Sequence, residues 1–529
     1  MTSRLLLGHR EKPRINPEVS TIRPLPHWPN RYDEFAGVKV ETKFAGWANR
    51  LSVFFLLLFS LTVPHSIAAA HISLGMSLIA WLARDLSRRR FHFKRTPIDL
   101  PLLCFAVLTI LSAVFSVEPG TSLPKLKTLL LFGVIYVVAA NLSRSGVRLM
   151  TCLLIISGLV GVGFSLVEKL RGRGMTIAAI EAESPLAGSH LQPGDVIWMI
   201  GRHRVASVEE ATREIRQYRD GEEVGIEALH AGDPVPVKIR VTDELKARTN
   251  PLGLSAGGRS RQFRVSGFSR QFQTYAEQMQ ILAMLAYGGL LTTLKFWQRR
   301  NMKLWSLAAL LLFVLFSLAL TLTASRAVIA ASILSVVVIS LSLGGRLALV
   351  LALSMATLIG GCGFYILTTA RNQATVRFDD DSTTRRLAYM EAGVRLIPQY
   401  PLLGVGMDSH KRHWQEWKFP GEYITHTHST PIQIAVDRGL PALACYLWLI
   451  AAMMIMAWRG FKDEQSSRDV FDRSLALGAL GALLGFTISS LTNYNFGDSE
   501  VVLLLLSIAG LVTVSARKNL AAVQQLAVK

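Results

Sequence analysis

Apolar runs of about 20 residues recur along this chain, and each is long enough to cross a hydrocarbon core about 30 Å thick. Half of the 529 residues are hydrophobic and the mean hydropathy is +0.35. A soluble protein of this length needs more polar surface to cover its core. We therefore predict an all-α polytopic membrane protein with about twelve spans. They lie at 48–64, 66–83, 98–116, 126–142, 148–169, 275–295, 303–323, 326–344, 347–368, 431–457, 473–492 and 499–516.

The positive charges are concentrated beside these spans, on one side of the membrane. Lys and Arg are frequent in the N-terminal arm, in the connection between spans two and three, in that between spans six and seven, and in the C-terminal tail. The opposite short loop at 117–125 is nearly free of them. The positive-inside rule then places both termini of this multi-pass membrane protein in the cytoplasm. Much of the formal charge of +20 reflects topology, so no nucleic-acid partner is predicted.

Neither a cofactor nor a metal is predicted. The four cysteines all lie inside apolar segments without metal-ligand spacing and are interpreted as small core residues. The first 46 residues lack the apolar core and cleavage site of a signal peptide, so we expect the first span to be an uncleaved anchor.

Two long loops, at about 170–274 and 369–430, are expected on the outer side, because long loops cross the membrane regardless of their charge. The domain organisation that follows has seven parts. They are an N-terminal arm (1–47), spans one to five (48–170), an inserted domain (171–245), spans six to nine (246–368), a catalytic loop (369–430), spans ten to twelve (431–516) and a tail (517–529).

The insert shows short alternating stretches typical of strands, at 175–180, 224–229 and 235–241, a turn that leads into a strand within 191–197, and a capped helix beginning at Ser207. The motif SPLAG (184–188), followed by PGDVI (193–197), resembles a PDZ domain of small α+β fold. That resemblance implies that a peptide or protein adds as a strand to a sheet edge, expected along residues 175–179. The alternative is a spacer or docking module whose groove binds nothing.

Three polar sites on the outer side carry candidate chemistry. Arg326 follows Ser325 at the junction of two spans, where a cation is unusual and must be partly desolvated. A guanidinium presents a rigid fork of donors suited to a pyrophosphate. The alternative interpretation is a charge that extends to the membrane surface.

The second site is the pair Arg385 and Arg386, which follows an acidic run at 379–381 and opens a predicted helix that extends to residue 397. We expect Leu387, Met390 and Val394 to form the apolar stripe of this helix. Either arginine could bind a second phosphate, and Arg386 fits the spacing better. The alternative is a solvated helix start that is charge-paired with the acidic run.

The third site is His426 and His428, just before the tenth predicted span. No third ligand accompanies them, so a metal pair is disfavoured. A neutral imidazole at the membrane surface can accept a proton from a sugar hydroxyl. The alternative is a pair of ordinary polar surface residues.

These features occur in an order that resembles the O-antigen ligases and the related Wzy-type polymerases. The resemblance is carried by YPLLGVG (400–406), by His428 with Gly439 beyond it, and by the Ser325-Arg326 junction. It implies a GT-C-like helical fold, with His428, Arg326 and Arg386 as catalytic residues. The further substrate-binding candidates are Arg385, Arg264, His426, Gly404, Gly406 and Asp498.

The implied reaction is a metal-independent, inverting transfer of a glycan from undecaprenyl pyrophosphate to a hydroxyl of lipid A–core at the periplasmic face. The arginines would stabilise the leaving group and His428 would act as general base. The rival enzymes are a Wzy-type polymerase of O-antigen or exopolysaccharide and a protein O-oligosaccharyltransferase. A glycolipid transporter and a membrane scaffold are the non-enzymatic alternatives.

Overall fold

The computed structural model describes residues 34–38, 40, 42–89, 95–230, 233–370, 381–420, 426–462 and 469–516. Five helices precede the insert. They are α1 (Lys43–Thr62), α2 (Ile67–Ser87), α3 (Asp99–Val114), α4 (Pro119–Asn141) and α5 (Arg144–Arg171). The middle of α4 is wound as a 3-10 helix, at Leu123–Phe132.

The insert is a twisted antiparallel sheet with two short helices. Its elements are β1 (Met175–Ile180), β2 (Val196–Ile200), β3 (His203–Arg204), α6 (Val208–Ile215), β4 (Glu223–His230), β5 (Asp233–Arg240), α7 (Asp243–Ala247) and β6 (Leu254–Ala256). The sheet order is β5-β4-β2-β1-β6, with β3 paired to β2. Ser207 caps α6 as predicted, because its Oγ accepts a hydrogen bond from Glu210 N at 3.3 Å.

The predicted position of the peptide groove is wrong. Strand β1 is not an edge, since β2 pairs with one side of it and β6 with the other. Ile177 lies opposite Ala256 and Ile180 opposite Leu254. The outer edge of the sheet on this side is therefore β6, which also packs against α6. The sequence interpretation missed β6 because the strand has only three residues and lies beyond the recognisable motifs.

In the part of the chain that the structure describes, nine α-helices follow the insert. They are α8 (Phe272–Lys295), α9 (Met302–Leu322), α10 (Arg326–Leu343), α11 (Arg346–Ala370), α12 (Asp381–Leu396), the short α13 (His410–His413), α14 (Thr430–Lys462), α15 (Val470–Ser490) and α16 (Ser499–Ala516).

Ten of the helices in the described ranges are long and apolar enough to cross a membrane. The predicted fold class is thus confirmed, with two fewer qualifying spans than the twelve expected. Helix α3 has 16 residues, which is short for a span. Helix α8 carries Glu277, Gln278 and Gln280 near its start, and these polar groups lower its hydropathy.

Helix α8 is enclosed by the rest of the bundle and packs against α9 and α15. The backbones of α8 and α15 come very close at Gly288, where an added Cβ would lie 2.3 Å from Gly478 N. Small residues at such crossings bring helices together where no hydrophobic effect is available, as in lipid. This close crossing fixes α15, which leads into the loop at residues 491–498 beside the candidate site.

A buried polar cluster joins the first helices. Arg84 Nη1 donates to Asn49 Oδ1 at 2.7 Å and to Asn141 Oδ1 at 2.8 Å, so that α1, α2 and α4 are linked. Its Nε donates to Asp85 Oδ1 at 2.8 Å. A charge within an apolar bundle is tolerated when it is paired and hydrogen-bonded in this way.

The predicted apolar stripe of α12 is wrong. Leu387 is 60% exposed and Val394 is 51% exposed, whereas Ala392 and Leu396 are buried. Helix α12 therefore packs through the face that also carries Tyr389. The stripe was misassigned because several apolar residues of this helix lie on its exposed side.

Candidate active site

Arg326 is the first residue of α10, after a turn at residues 323–325. Ala324 in this turn has a φ of 50°, a left-handed conformation that is uncommon for residues other than glycine. Arg326 Nη2 donates a hydrogen bond to Thr383 Oγ1 of α12 at 3.2 Å. Because a cation at a helix N-terminus opposes the helix dipole, the stability of α10 does not explain this arginine.

Arg264 holds the same turn from the other side. Its Nε donates to Thr323 O at 2.9 Å and its Nη2 donates to Ala324 O at 3.0 Å. The guanidinium also lies 3.4 Å from the centroid of the Phe272 ring, and the residue is buried. The sequence suggested a substrate contact for Arg264. In the structure this side chain contacts the backbone just before Arg326.

Helix α12 connects Arg326 to the histidines. Thr383, which accepts the hydrogen bond from Arg326, lies one helical turn before Arg386, so the two residues share a face. Arg386 is half-buried and close enough to lower the pKa of both His426 and His428. Arg385 is exposed. Of the adjacent pair, Arg386 is thus the residue beside the histidines, while the acidic run at 379–381 lies outside the described side chains.

His428 stands two residues before α14 in a left-handed conformation, with a φ of 56°. Its ring stacks on that of Tyr389 of α12, with centroids 5.6 Å apart. Burial and the nearby Arg386 charge lower its pKa to about 4. The imidazole is therefore neutral at neutral pH, which is the state a general base requires.

His426 lies against His428, with ring centroids 4.3 Å apart. Its Nδ1 accepts a hydrogen bond from His428 N at 3.2 Å, which leaves the proton of the neutral ring on Nε2. Burial is the main cause that lowers the pKa of His426 to about 3, and the neighbouring His428 adds to it. On its other side the ring faces Tyr494 at 5.5 Å.

The histidine loop is fixed to the bundle by its own backbone. Thr427 N donates to Gln433 Oε1 at 2.7 Å, and Thr430 N donates to Asn493 O at 3.2 Å. Both partners belong to elements that are buried among other helices. Such anchoring maintains the left-handed conformation of His428, which the chain would not adopt by itself.

Gly404 and Gly406 pack against a break in α14. Gly439 has non-helical dihedral angles, and Pro441 has no N–H to offer to Asp437 O. Asp437 O instead accepts hydrogen bonds from Gly406 N at 3.0 Å and from Ser112 Oγ of α3 at 2.7 Å. An added Cβ on Gly404 would lie 2.4 Å from Val436 O. The sequence suggested that these glycines bind substrate, whereas the structure shows them in contact with backbone.

A cavity of about 330 Å³ adjoins the histidine loop on the side of His426. Asp498, the last of the sequence candidates, lines it, and burial raises the pKa of this carboxyl to about 6. Its Oδ2 accepts a hydrogen bond from Thr274 Oγ1 at 2.9 Å. Three cations also line the cavity, and the sequence interpretation assigned a role to none of them. They are Lys125, Lys411 and Arg438.

The structure thus brings Arg326, Arg386, His428 and His426 together at one end of the bundle. Two guanidinium groups beside a neutral imidazole can bind a diphosphate and accept a proton from a hydroxyl. Within the described residues, no group of three or more His, Cys, Asp or Glu side chains has the arrangement of a metal site.

Three residues of the site have no role in the sequence interpretation. Tyr389 follows Arg386 by three residues, so helical spacing would have placed it on the same face. Arg438 of α14 and Tyr494, in the loop after α15, lie at the site because these two helices pack together. No local pattern in the sequence marks either residue.

Comparison with protein families agrees with this geometry. Residues 311–447 match the family model described as O-antigen ligase. The chain carries an O-antigen ligase domain. Residues 158–241 match the PDZ domain model. No curated protein matches the chain.

The O-antigen ligase domain contains Arg326, Arg386, His426 and His428, while Arg264 and Asp498 lie outside it. The PDZ match begins within α5 and ends before β6, at residue 241. The predicted family and the PDZ insert are both confirmed. The strand that forms the outer edge of the sheet is an addition that the family model does not cover.

Proposed function

We propose that this protein transfers a glycan from undecaprenyl pyrophosphate to a hydroxyl of lipid A–core at the periplasmic face of a bacterial inner membrane. The proposal rests on one turn of α12. Its Thr383 accepts a hydrogen bond from Arg326, and its Arg386 lies close to His428. Two cations suit the diphosphate of a lipid-linked donor, and the neutral imidazole suits a hydroxyl acceptor.

The reaction follows from these roles. The acceptor oxygen attacks the anomeric carbon while His428 takes its proton. The bond between that carbon and the phosphate oxygen breaks, and the electron pair leaves with undecaprenyl pyrophosphate. Arg326 and Arg386 stabilise the charge that develops on this leaving group. Attack opposite the leaving group inverts the anomeric configuration, and each group that the step requires is a side chain of this protein.

The proposal requires this site to lie on the outer side of the membrane. Counting α3 and α8 as spans in addition to the ten qualifying helices gives twelve, and the basic N-terminal arm then favours both termini in the cytoplasm. The PDZ domain and the loop that contains Arg386 and His428 are then periplasmic. A lipid-linked glycan carries its own activated bond, so no nucleotide is needed there.

A transfer assay with purified protein in vesicles tests the proposal. We expect His428→Ala and Arg326→Ala to lower the rate at least about a hundredfold, the scale typical of a lost general base or charge-stabilising donor. The matched control is Arg385→Ala, which removes an exposed arginine next to Arg386 and should retain nearly the full rate. Normal rates in both site variants would refute the mechanism.

The PDZ domain favours one alternative, a protein O-oligosaccharyltransferase, because PDZ domains bind extended peptides. In this chain a peptide would add to the outer edge of β6, next to α6, rather than to β1. Chemical identification of the acceptor separates the candidates. Glycan on lipid A–core supports the ligase, glycan on a protein supports the alternative, and a longer lipid-linked glycan indicates a polymerase.

A further inference from the structure

Arg438 lies in the cavity beside His426 in an unusual state. It follows Asp437 at the break in α14 and is only 3% exposed. Within the described part of the chain, its Nε and Nη1 have no hydrogen-bond partner. Nη2 donates to the sulfur of Met407 at 3.0 Å, and thioether sulfur is a weak acceptor. The hydroxyl of Tyr494, another residue of the cavity wall, also interacts with this guanidinium. The nearest carboxylate oxygen, Asp437 Oδ2, is 3.9 Å from Nη1.

The carboxylates around the cavity are engaged elsewhere. Lys411 Nζ lies 3.0 Å from Asp408 Oδ1, and Lys125 Nζ pairs with the other oxygen of the same carboxylate. Asp437 Oδ1 accepts a hydrogen bond from Gln433 Nε2 at 2.9 Å. Asp498 accepts one from Thr274, as described above. None of them supplies the acceptor that the Arg438 guanidinium lacks.

A buried guanidinium whose N–H groups lack acceptors destabilises the fold unless a ligand binds it. The N–H groups lose their hydrogen bonds to water on burial, and only a strong acceptor offsets the free energy of this desolvation. The fork of an arginine fits the oxygens of a phosphate or a carboxylate, and such bonds are strongest with an ionised partner. The two lysines on the cavity wall share a single carboxylate, that of Asp408, and so add a net positive charge beside the guanidinium. The cavity is thus suited to an oxyanion.

The position of the histidines decides which substrate supplies this oxyanion. His426 lines the cavity and His428 does not, whereas the His428 ring stacks on Tyr389 of α12, the helix that also carries Arg386. A diphosphate on Arg326 and Arg386 would therefore be separated from the cavity by the imidazole pair. In an inverting transfer, the hydroxyl approaches from the side opposite the leaving group. The cavity then lies on the side of the acceptor.

We propose that this cavity is the acceptor subsite and that Arg438 binds a phosphate or carboxylate group of the acceptor glycan. The inference rests on the proposed function for the identity of the two substrates. It adds a specificity residue, since an acceptor without an anionic group would leave the buried Nε and Nη1 donors without a hydrogen-bond acceptor. An earlier reaction must then have added an acidic or phosphorylated sugar to the acceptor, near the hydroxyl that receives the glycan.

Steady-state transfer kinetics test the assignment with Arg438→Met, Arg438→Lys and the control Arg299→Met, which changes an exposed arginine in the loop between α8 and α9. We expect Arg438→Met to raise the KM for the acceptor about tenfold or more, since a charge-assisted hydrogen bond is lost, with the donor KM nearly unchanged. Arg438→Lys should be intermediate, because it keeps the charge without the fork. An unchanged acceptor KM, or a rise confined to the donor KM, would overturn the proposal.

Thermal unfolding in detergent provides a readout that does not depend on transfer. Without ligand, Arg438→Met should unfold at the same temperature as the wild type or higher, because it removes buried N–H groups that lack acceptors. Inorganic phosphate, used as the probe, should stabilise the wild type more than Arg438→Met. A large loss of stability in Arg438→Met without ligand, or equal stabilisation by phosphate, would contradict a binding role. The mechanism itself is refuted by normal transfer in both His428→Ala and Arg326→Ala, so the two failures are distinguishable.

Discussion

At the scale of single residues, His428 has two unfavourable features, its backbone conformation and the burial of its imidazole, and the same loop contacts maintain both. Its backbone is left-handed, which costs a residue with a Cβ roughly 1–2 kcal/mol, and its imidazole is buried near a cation. Both are maintained by the anchors of the loop, in which Thr427 binds Gln433 and Thr430 binds Asn493. Strain that surrounding packing maintains is typical of functional sites, where the geometry of one side chain decides activity.

The first prediction concerns His428→Asn. Asparagine tolerates the left-handed conformation better than most residues, so the loop should retain its shape. The side chain cannot act as a base at neutral pH. We expect a variant that unfolds within a few degrees of the wild type but transfers glycan at least about a hundredfold more slowly. A large loss of stability in this variant would indicate that the imidazole is needed for structure rather than for chemistry.

The second prediction concerns pH. Because the pKa of His428 is about 4 and its ordinary value is 6.5, the transfer rate should remain high at pH 5.5 and fall only near pH 4. The stability follows the same shift. As the pH falls from 6.5 to 4, the unfolded chain takes up protons that the folded chain does not, so folding is weakened across this window. Unfolding temperatures at pH 7 and pH 5 should differ less in His428→Asn than in the wild type. A rate that falls near pH 6.5 would contradict the environment described for His428.

At the scale of elements, the site is built where helices end or break. Arg326 begins α10, His428 precedes α14, and α14 breaks at Gly439 so that residues 400–406 can bind its free carbonyl groups. Each of these positions leaves backbone groups that a regular helix would satisfy itself. Segments from distant parts of the sequence satisfy them, and this brings α3, α12 and α14 to one place.

The third prediction tests this junction with Gly404→Ala. Gly404 has a φ of 67°, and an added Cβ would lie 2.4 Å from Val436 O, so residues 400–406 must move away from α14. We expect the unfolding temperature and the transfer rate to fall together. The control is Gly163→Ala in α5, where nothing lies within 4 Å of the added Cβ and alanine favours the helix by about 1 kcal/mol. A stable, active Gly404→Ala would show that this packing is dispensable.

The limits of sequence interpretation also appear at this scale. Helix positions were predictable because apolar length alone sets them, and β1 matched its prediction because alternation and turn motifs are local signals. The sequence identified Arg326, Arg386 and His428 because charged or titratable side chains beside an apolar span are unusual, or because the family resemblance includes them. The backbone contacts of Arg264 and Gly404 were not predicted, and no sequence pattern pointed to Arg438. Each of these depends on close contact between segments that are distant in sequence.

At the scale of the whole molecule, one chain combines an O-antigen ligase domain with a PDZ domain inserted between α5 and α8. The two domains are connected by residues 257–271, which follow the edge strand β6, include Arg264 and lead into α8. Arg264 in turn holds the turn before Arg326. The sheet edge that a peptide would extend therefore lies a few residues from a group that positions a candidate catalytic arginine.

The last prediction concerns the orientation on which this arrangement depends. Single cysteines at Gly188, in the PDZ domain, and at Arg299, between α8 and α9, should be labelled from opposite sides of the membrane by an impermeable maleimide, in a background without the four native cysteines. Both positions are exposed, and an added Cβ at Gly188 meets nothing within 4 Å. The cluster of Lys and Arg around Arg299 should hold that loop in the cytoplasm. Labelling of both from the same side would remove the periplasmic site, since α8 would then not cross the membrane.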